Sequence, residues 1–328
     1  MPTRSSDRRA SACNMRHILA TVFLLVAPVF AQAAEKNYKI TYIQGVTGNP
    51  FYMSVSCGAA EAAKRLGVTF DSQGPQQYTP ALQMRVLDAV IAARPDGIMF
   101  TADDPVALTA TLIEAKERGI KIISIDGNVK DLSVALANIQ SDNFEGGRQA
   151  GAVLSDLLGG RGKVMALMNS PAANVAQQRL NGFKEEIAKH PGLEFLGVQY
   201  SNNQTAKAAS IITSSIAANP DLAGVFTITT NNTEGAATGI REAQREGKVK
   251  IVGFDTSDPI VEAIRTGIVS ADIVQYPYRV GQLGLETMVA ALDGKPIERE
   301  ITTPFVVATP QNIDTADVQK FIYRTNCR

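Results

Sequence analysis

The sequence predicts an α/β chain of two similar lobes, each built around a parallel sheet, and three observations carry that expectation. Residues 93–128 are echoed by residues 218–257: each stretch passes through a Pro-Asp turn, a short apolar strand, a polar break and an amphipathic helix. Each helix ends on a glycine, Gly119 or Gly247, and the apolar strand that follows stops on an aspartate, Asp126 or Asp255. Strands and helices also alternate along the rest of the chain, the pattern of parallel sheets with right-handed crossovers. Open parallel sheets bind ligands at the carboxyl ends of their strands, so the paired aspartates mark a candidate site.

Taken in order, the apolar periodicity predicts strands at 38–44, 68–71, 97–101, 121–125 and 136–139. Helices at 50–66, 79–93 and 106–118 lie between them. Pro50 suits the first turn of its helix, with Asn49 as the N-cap. After Ser141-Asp142-Asn143 the alternation restarts, with strands at 163–168, 193–200, 224–228, 250–254 and 271–275. Their partner helices fall at 144–158, 173–189, 205–217, 234–245 and 258–266. A last helix at 278–292 precedes one strand at 301–307 and a polar tail. Periodicity alone places a single switch between lobes, around residues 139–143. With no Pro- or Ser-rich linker there, the lobes are expected to hinge over a cleft.

The N-terminus reads as a targeting segment. Arg4, Arg8, Arg9 and Arg16 precede an apolar run at 18–30 that ends on Ala31-Gln32-Ala33, giving a charged n-region, an h-region and an A-x-A cleavage site. Met15 offers an alternative start. The run is too short to span a membrane. Cleavage near Ala33 yields an exported protein and takes 32 basic residues to 28 and 32 acidic ones to 31, a net charge of about −3. A mildly acidic chain without a basic block argues against a nucleic-acid partner.

Two cysteines remain after cleavage, Cys57 and Cys327. In an oxidising compartment they suggest one disulfide, worth up to about 5 kcal/mol by loop entropy, with two separate thiols as the alternative. With His190 the only remaining histidine, they cannot build a zinc cage, and no metal or cofactor is expected.

Catalytic motifs find little support. Gly159-Gly160-Arg161-Gly162-Lys163 lacks phosphate-loop spacing, has Val164 where a hydroxyl is required, and precedes a strand instead of following one. His190 sits beside Pro191-Gly192 at a helix end, and no G-x-S-x-G elbow occurs. Asp126 and Asp255 have the residue types of a glycosidase pair, but their repeat positions better suit two lobes that each give one acceptor to a shared ligand. No enzyme is expected. Phe51 and Tyr52, at a strand's carboxyl end, suit either packing or stacking on a sugar ring. Arg179 is either a solvated helix residue or a five-donor fork for ligand oxygens.

GNPFYMSV, KIISIDGN, NIQSDNFEGGRQAG, QQRLNGF, KIVGFDTS and ADIVQYPYRVGQLG form a collinear set covering the whole mature chain. As a set they resemble the periplasmic sugar-binding proteins of the ribose-binding type, the ligand-capturing subunits of ABC importers. That resemblance implies two Rossmann-like lobes joined by a three-segment hinge, the type I periplasmic binding protein fold. The lobes would be 34–140 with 277–305, and 141–276 with 306–328. It implies a monomer that captures a monosaccharide or polyol and delivers it to an ABC membrane permease. A sensor presenting a sugar or furanosyl signal to a membrane receptor is the alternative.

Carried over by position, Phe51 and Tyr52 match the ring-sandwiching aromatics and Asn49 an amide contact. Asp126 matches the first-lobe aspartate, Arg179 the second-lobe arginine, Asp255 the second-lobe aspartate and Gln275 the hinge glutamine. Asn231 or Asn232 fills the asparagine position after the strand ending at Ile228. Four positions depart from the ribose pattern. Gly127 replaces an arginine, Phe100 a polar residue expected to face the ligand, Gly45 a hydroxyl and Asn203 an aromatic. Sites built on hydrogen bonds discriminate strongly against ligands that leave them unpaired, so these departures argue against ribose itself.

Overall fold

A computed structural model describes residues 37–171 and 174–327. The expected leader and its cleavage point lie outside the described residues. The first five strands are β1 (Lys39–Ile43), β2 (Thr69–Gln73), β3 (Gly97–Phe100), β4 (Lys121–Ile125) and β5 (Ala137–Ser141). Their connecting helices are α1 (Pro50–Leu66), α2 (Pro80–Ala92) and α3 (Thr109–Glu117). The chain continues through α4 (Asn143–Leu158), β6 (Arg161–Met168), α5 (Asn174–Ile187), β7 (Gly192–Tyr200) and α6 (Thr205–Ala218). Then come β8 (Leu222–Thr227), α7 (Thr230–Glu242), β9 (Lys250–Phe254), α8 (Asp258–Arg265) and β10 (Ala271–Val274). Helix α9 (Pro277–Leu292), β11 (Glu300–Thr303), β12 (Val306–Ala308) and α10 (Ala316–Gln319) complete it.

Two six-stranded sheets result, in the orders β11-β5-β4-β3-β1-β2 and β12-β10-β9-β8-β6-β7. The first is parallel throughout, whereas β12 runs antiparallel to β10 on the edge of the second. Helices cover both faces of each sheet, so the central strands carry nearly continuous apolar runs such as Gly97-Ile98-Met99-Phe100 and Ala271-Asp272-Ile273-Val274. Alternation within β3 sends Met99 into the cluster shared with α1 and α9, and Ile98 and Phe100 into the cluster with Leu87 and Leu112 on the opposite face.

Three crossings join the lobes: β5 to α4, β10 to α9, and β11 to β12. The periodicity had marked only the first. The single strand expected at 301–307 is two strands, because Pro304 offers no backbone donor to a ladder. The chain leaves one sheet at Thr303 and enters the other at Val306. The expected polar tail is ordered and partly apolar. Ile313, Val318, Phe321 and Tyr323 are buried, and α10 forms within it.

Beyond Tyr323 the tail returns to the first lobe. The Arg324 backbone N–H donates to the Ser54 hydroxyl at 3.2 Å, its guanidinium lies 4.2 Å from the Tyr278 ring centre, and Cys327 is disulfide-bonded to Cys57 of α1. The C-terminus thus adds a covalent fourth crossing on the hinge side.

Candidate functional site

The two repeat aspartates adopt the same unusual backbone. Asp126 and Asp255 lie in the left-handed region, at φ 60° and 73°, where Asp is among the few non-glycine residues found with any frequency. Each backbone N–H donates to the next strand along, Asp126 to the Ile139 carbonyl at 2.9 Å and Asp255 to the Ile273 carbonyl at 3.1 Å. The turn that ends each strand therefore aims a carboxyl out of the sheet's carboxyl edge, once in each lobe.

Arg179 of α5 lies between them. Its Nη2 is 3.9 Å from Asp126 Oδ1 and its Nη1 is 3.5 Å from Asp255 Oδ2. The guanidinium is 2% exposed and held on several sides. Its Nε donates to Asn143 Oδ1 at 2.8 Å, its Nη1 donates to the Ile228 carbonyl at 2.9 Å, and its plane lies 3.8 Å from the Phe254 ring centre. Neither carboxylate is within hydrogen-bonding distance, so the guanidinium faces both while its framework bonds fix its position.

Asp255 is further oriented by the hinge and the tail. Gln275 Nε2 and the Tyr323 hydroxyl both donate to its Oδ1, each at 2.6 Å, which leaves Oδ2 facing Arg179. Asp126 Oδ1 is buried without a hydrogen-bond partner among the described residues. Burial raises the Asp126 carboxyl, Arg179 draws it back down and Asp255 raises it again, to about 6. The Gln275 carbonyl oxygen is likewise buried and unpartnered.

Phe51 and Tyr52 form the aromatic wall of the first lobe, edge to face at 5.5 Å, with the Tyr323 ring 6.0 Å from Phe51. Asn49 holds this wall by accepting from the Phe51 backbone N–H at 2.9 Å, as an N-cap should. Its Nδ2 reaches across to Asn231 Oδ1 at 3.4 Å. A second bond between lobes runs from Asn174 Nδ2 to the Asn128 carbonyl at 3.1 Å, so the lobes are closed on each other.

An open cleft of about 700 Å³ adjoins this cluster. Asn49, Tyr78 and Asp103 line it from the first lobe, and Asn169, Asn203, Asn231 and Glu234 from the second. Phe51, Tyr52, Asp126, Arg179, Asp255 and Gln275 lie outside its lining.

The structure separates the two asparagines that the sequence left as alternatives. Asn231 lines the cleft, whereas Asn232 is fully buried, accepting from the Ser201 hydroxyl at 2.5 Å and donating to the Leu167 carbonyl at 3.0 Å. Asn232 is a framework residue. Phe100 is corrected as well: it packs with Ile43, Leu87 and Leu108 and is not brought to the cleft, because strand alternation points it at the core. The sequence reading missed Tyr78, Asp103, Asn143 and Tyr323. Asp103 lies in the polar break after β3, and Asn143 in NIQSDNFEGGRQAG. Tyr323 had no signal except its nearness to Cys327.

The model of the periplasmic binding protein domain matches residues 40–296. The ribose import binding protein of Escherichia coli K12 is 28% identical over 292 residues, covering 87% of this chain and 95% of that protein. An ABC transporter solute-binding protein from Agrobacterium vitis, solved with α-D-tagatopyranose, is 35% identical with a TM-score of 0.86, covering 88% of this chain and 100% of that one. A second solute-binding protein from Agrobacterium vitis, solved with D-fucose, is 28% identical with a TM-score of 0.84, over 87% and 100% of the two chains. Two mostly parallel sheets, three crossings and a polar cluster between closed lobes thus coincide with a match over most of the chain, which belongs to the periplasmic binding protein domain family.

Proposed function

We propose that this protein is an extracytoplasmic solute-binding protein that captures a monosaccharide or polyol between its lobes and delivers it to an ABC import permease. The observation that carries the reading is the Asp126–Arg179–Asp255 set, one carboxylate from each lobe facing one guanidinium beside an aromatic wall. Vicinal hydroxyls suit such an array, because each both donates to a carboxylate and accepts from a guanidinium, and C–H faces stack on aromatics. The sugars bound by the Agrobacterium vitis proteins and the name of the Escherichia coli relative support the same class of ligand.

In this reading Asn49, Phe51, Tyr52 and Asp126 grip from the first lobe. Arg179, Asn231 and Asp255 close from the second, with Gln275 at the hinge. The lobes are residues 34–140 with 277–305, and 141–276 with 306–328. The chain acts as a monomer in the periplasm after loss of residues 1–33, and it binds without turnover.

A thermal-shift screen with D-tagatose, D-fucose and D-ribose tests this. Ligand at 100 times Kd adds about 2.7 kcal/mol to stability, which gives a readily measured rise in melting temperature. Recovery of the bound sugar unchanged after long incubation supports binding without turnover. No stabilisation by any of the three, nor by a wider set of pentoses, hexoses and polyols, contradicts the proposal.

A further inference from the structure

Asp103 stands apart from the set that the sequence brought forward. It is 3% exposed, it lines the open cleft, and neither carboxyl oxygen has a hydrogen-bond partner among the described residues. Buried carboxyls are ordinarily paired, so an orphan at a cleft wall is a group placed to meet something.

Its position is prearranged. Gln83 of α2 is fully buried and donates from Nε2 to the Gln44 and Thr101 carbonyls at 3.0 and 2.6 Å, tying the ends of β1 and β3. Its Oε1 accepts from the Asp103 backbone N–H at 3.0 Å, which sets the loop that presents the carboxyl. Gly45 makes room opposite: a Cβ there would lie 2.6 Å from both Asp103 Oδ1 and the Tyr52 hydroxyl. A buried carboxyl, a buried tether for its loop and a glycine that clears its space are the parts of a built subsite.

Other unpartnered polar atoms face the same cleft. Asn169 Oδ1 and Thr230 Oγ1, both from the second lobe, are buried without hydrogen bonds among the described residues. Burial, then the neighbouring Asp104, push the Asp103 carboxyl up to about 9, consistent with a side chain lacking any compensating partner.

Resting on the sugar-binding reading, we propose that Asp103 is a ligand-contacting, specificity-determining residue whose carboxyl hydrogen-bonds ring hydroxyls from the first-lobe side of the cleft. The chemistry that satisfies it is a pair of adjacent hydroxyls, one for each oxygen, in the part of the ligand nearest Tyr52 and Tyr78. This makes three acidic contacts in all, with Asp126 and Asp255.

The test is isothermal titration of wild type, Asp103→Ala and Asp103→Asn with whichever of D-tagatose, D-fucose and D-ribose the wild type binds most tightly, and with the monodeoxy derivatives of that sugar. Circular dichroism and sugar-free melting confirm that each variant is folded. Asp103→Ala is expected to weaken the parent sugar by roughly 10- to 100-fold, the range for leaving buried ligand hydroxyls without their hydrogen-bond partner. Wild type is expected to lose a similar factor on one deoxy derivative, towards which Asp103→Ala is indifferent. That non-additivity is a signature a purely structural role does not produce. Equal affinities for wild type and both folded variants across all these sugars overturn the Asp103 assignment alone. A wild type silent to all three parent sugars overturns the sugar reading, and this inference with it.

Discussion

Replacing Asp103 by Asn should change how stability depends on pH in the sugar-free protein, and by a calculable amount. In the unfolded chain an aspartate titrates near 3.9, whereas burial holds the native Asp103 carboxyl up at about 9. Between those values the unfolded chain has released the proton and the native one keeps it. Stability therefore falls as pH rises, by about 1.4 kcal/mol per pH unit for one proton. The contribution is fully present below about pH 4, is lost progressively through neutrality, and stops declining near pH 9. From pH 5 to pH 8 wild type should lose about 4 kcal/mol relative to Asp103→Asn, which has no proton to release there. Asp126 and the deeply buried Asp272 are raised too, but both are common to the two proteins and cancel in the difference. Urea unfolding followed by far-UV circular dichroism suits a chain with no Trp, at pH 5, 6, 7 and 8 with the disulfide intact. Parallel stability curves for the two proteins would refute the claim that the buried carboxyl keeps its proton.

Four further outcomes follow from the same contacts. Arg179→Met leaves Asp126 and Asp255 without their shared cation and should weaken sugar binding at least 100-fold, while costing about 3–5 kcal/mol of stability. That cost should be smaller at pH 5 than at pH 8, because Asp126, already raised to about 6, is neutral at the lower pH; equal costs would count against the pairing. Asn232→Ala removes the partner of Ser201 and of the Leu167 carbonyl and should lower stability by about 1–3 kcal/mol, whereas Asn231→Ala should lower affinity with little change in melting. Reducing the disulfide, which spans 270 residues, should lower the urea midpoint, with loop entropy setting a ceiling of about 5–6 kcal/mol. Tyr323→Phe frees Asp255 Oδ1 from one of its two donors and should weaken binding by roughly fivefold; an unchanged titration curve would remove the tail from the binding account.

Much of the architecture was legible because it rests on short-range patterns. The Pro-Asp turns and apolar strands of the repeat recur in both lobes, and both strand-ending aspartates take the left-handed backbone; the helix-ending glycine holds for Gly119 after α3, whereas α7 ends at Glu242, five residues before Gly247. A tight turn at a strand end selects residue types locally, so one chain can display it twice. Asn49 and Pro50 were readable for the same reason, since capping and helix initiation involve neighbours in sequence.

Long-range choices were not legible. Periodicity did not reveal that the stretch before residue 307 divides between two sheets, because β11 pairs with β5, 162 residues away, whereas β12 pairs with β10 of the other lobe. Phe100 was expected at the cleft and instead fills the core, a decision made by which face of β3 meets α2 and α3. The adjacent Asn231 and Asn232 have the same composition and opposite fates, because a helix turn puts one in the cleft and the other against Ser201. Tyr323 reaches Asp255 only because the tail is folded back over the hinge and bonded to α1.

By itself, then, the sequence determined the α/β alternation, the two-lobe repeat, the aspartates that end matching strands and the Asn-Pro start of the first helix. Each of these is set by interactions within a few residues. Only the tertiary structure decided that Arg179 stands between the two aspartates, that Gly45 clears space for Asp103, and that the tail completes the hinge side of the site. Those arrangements depend on which surfaces meet when the sheets pack and the lobes close, and no local pattern encodes such meetings.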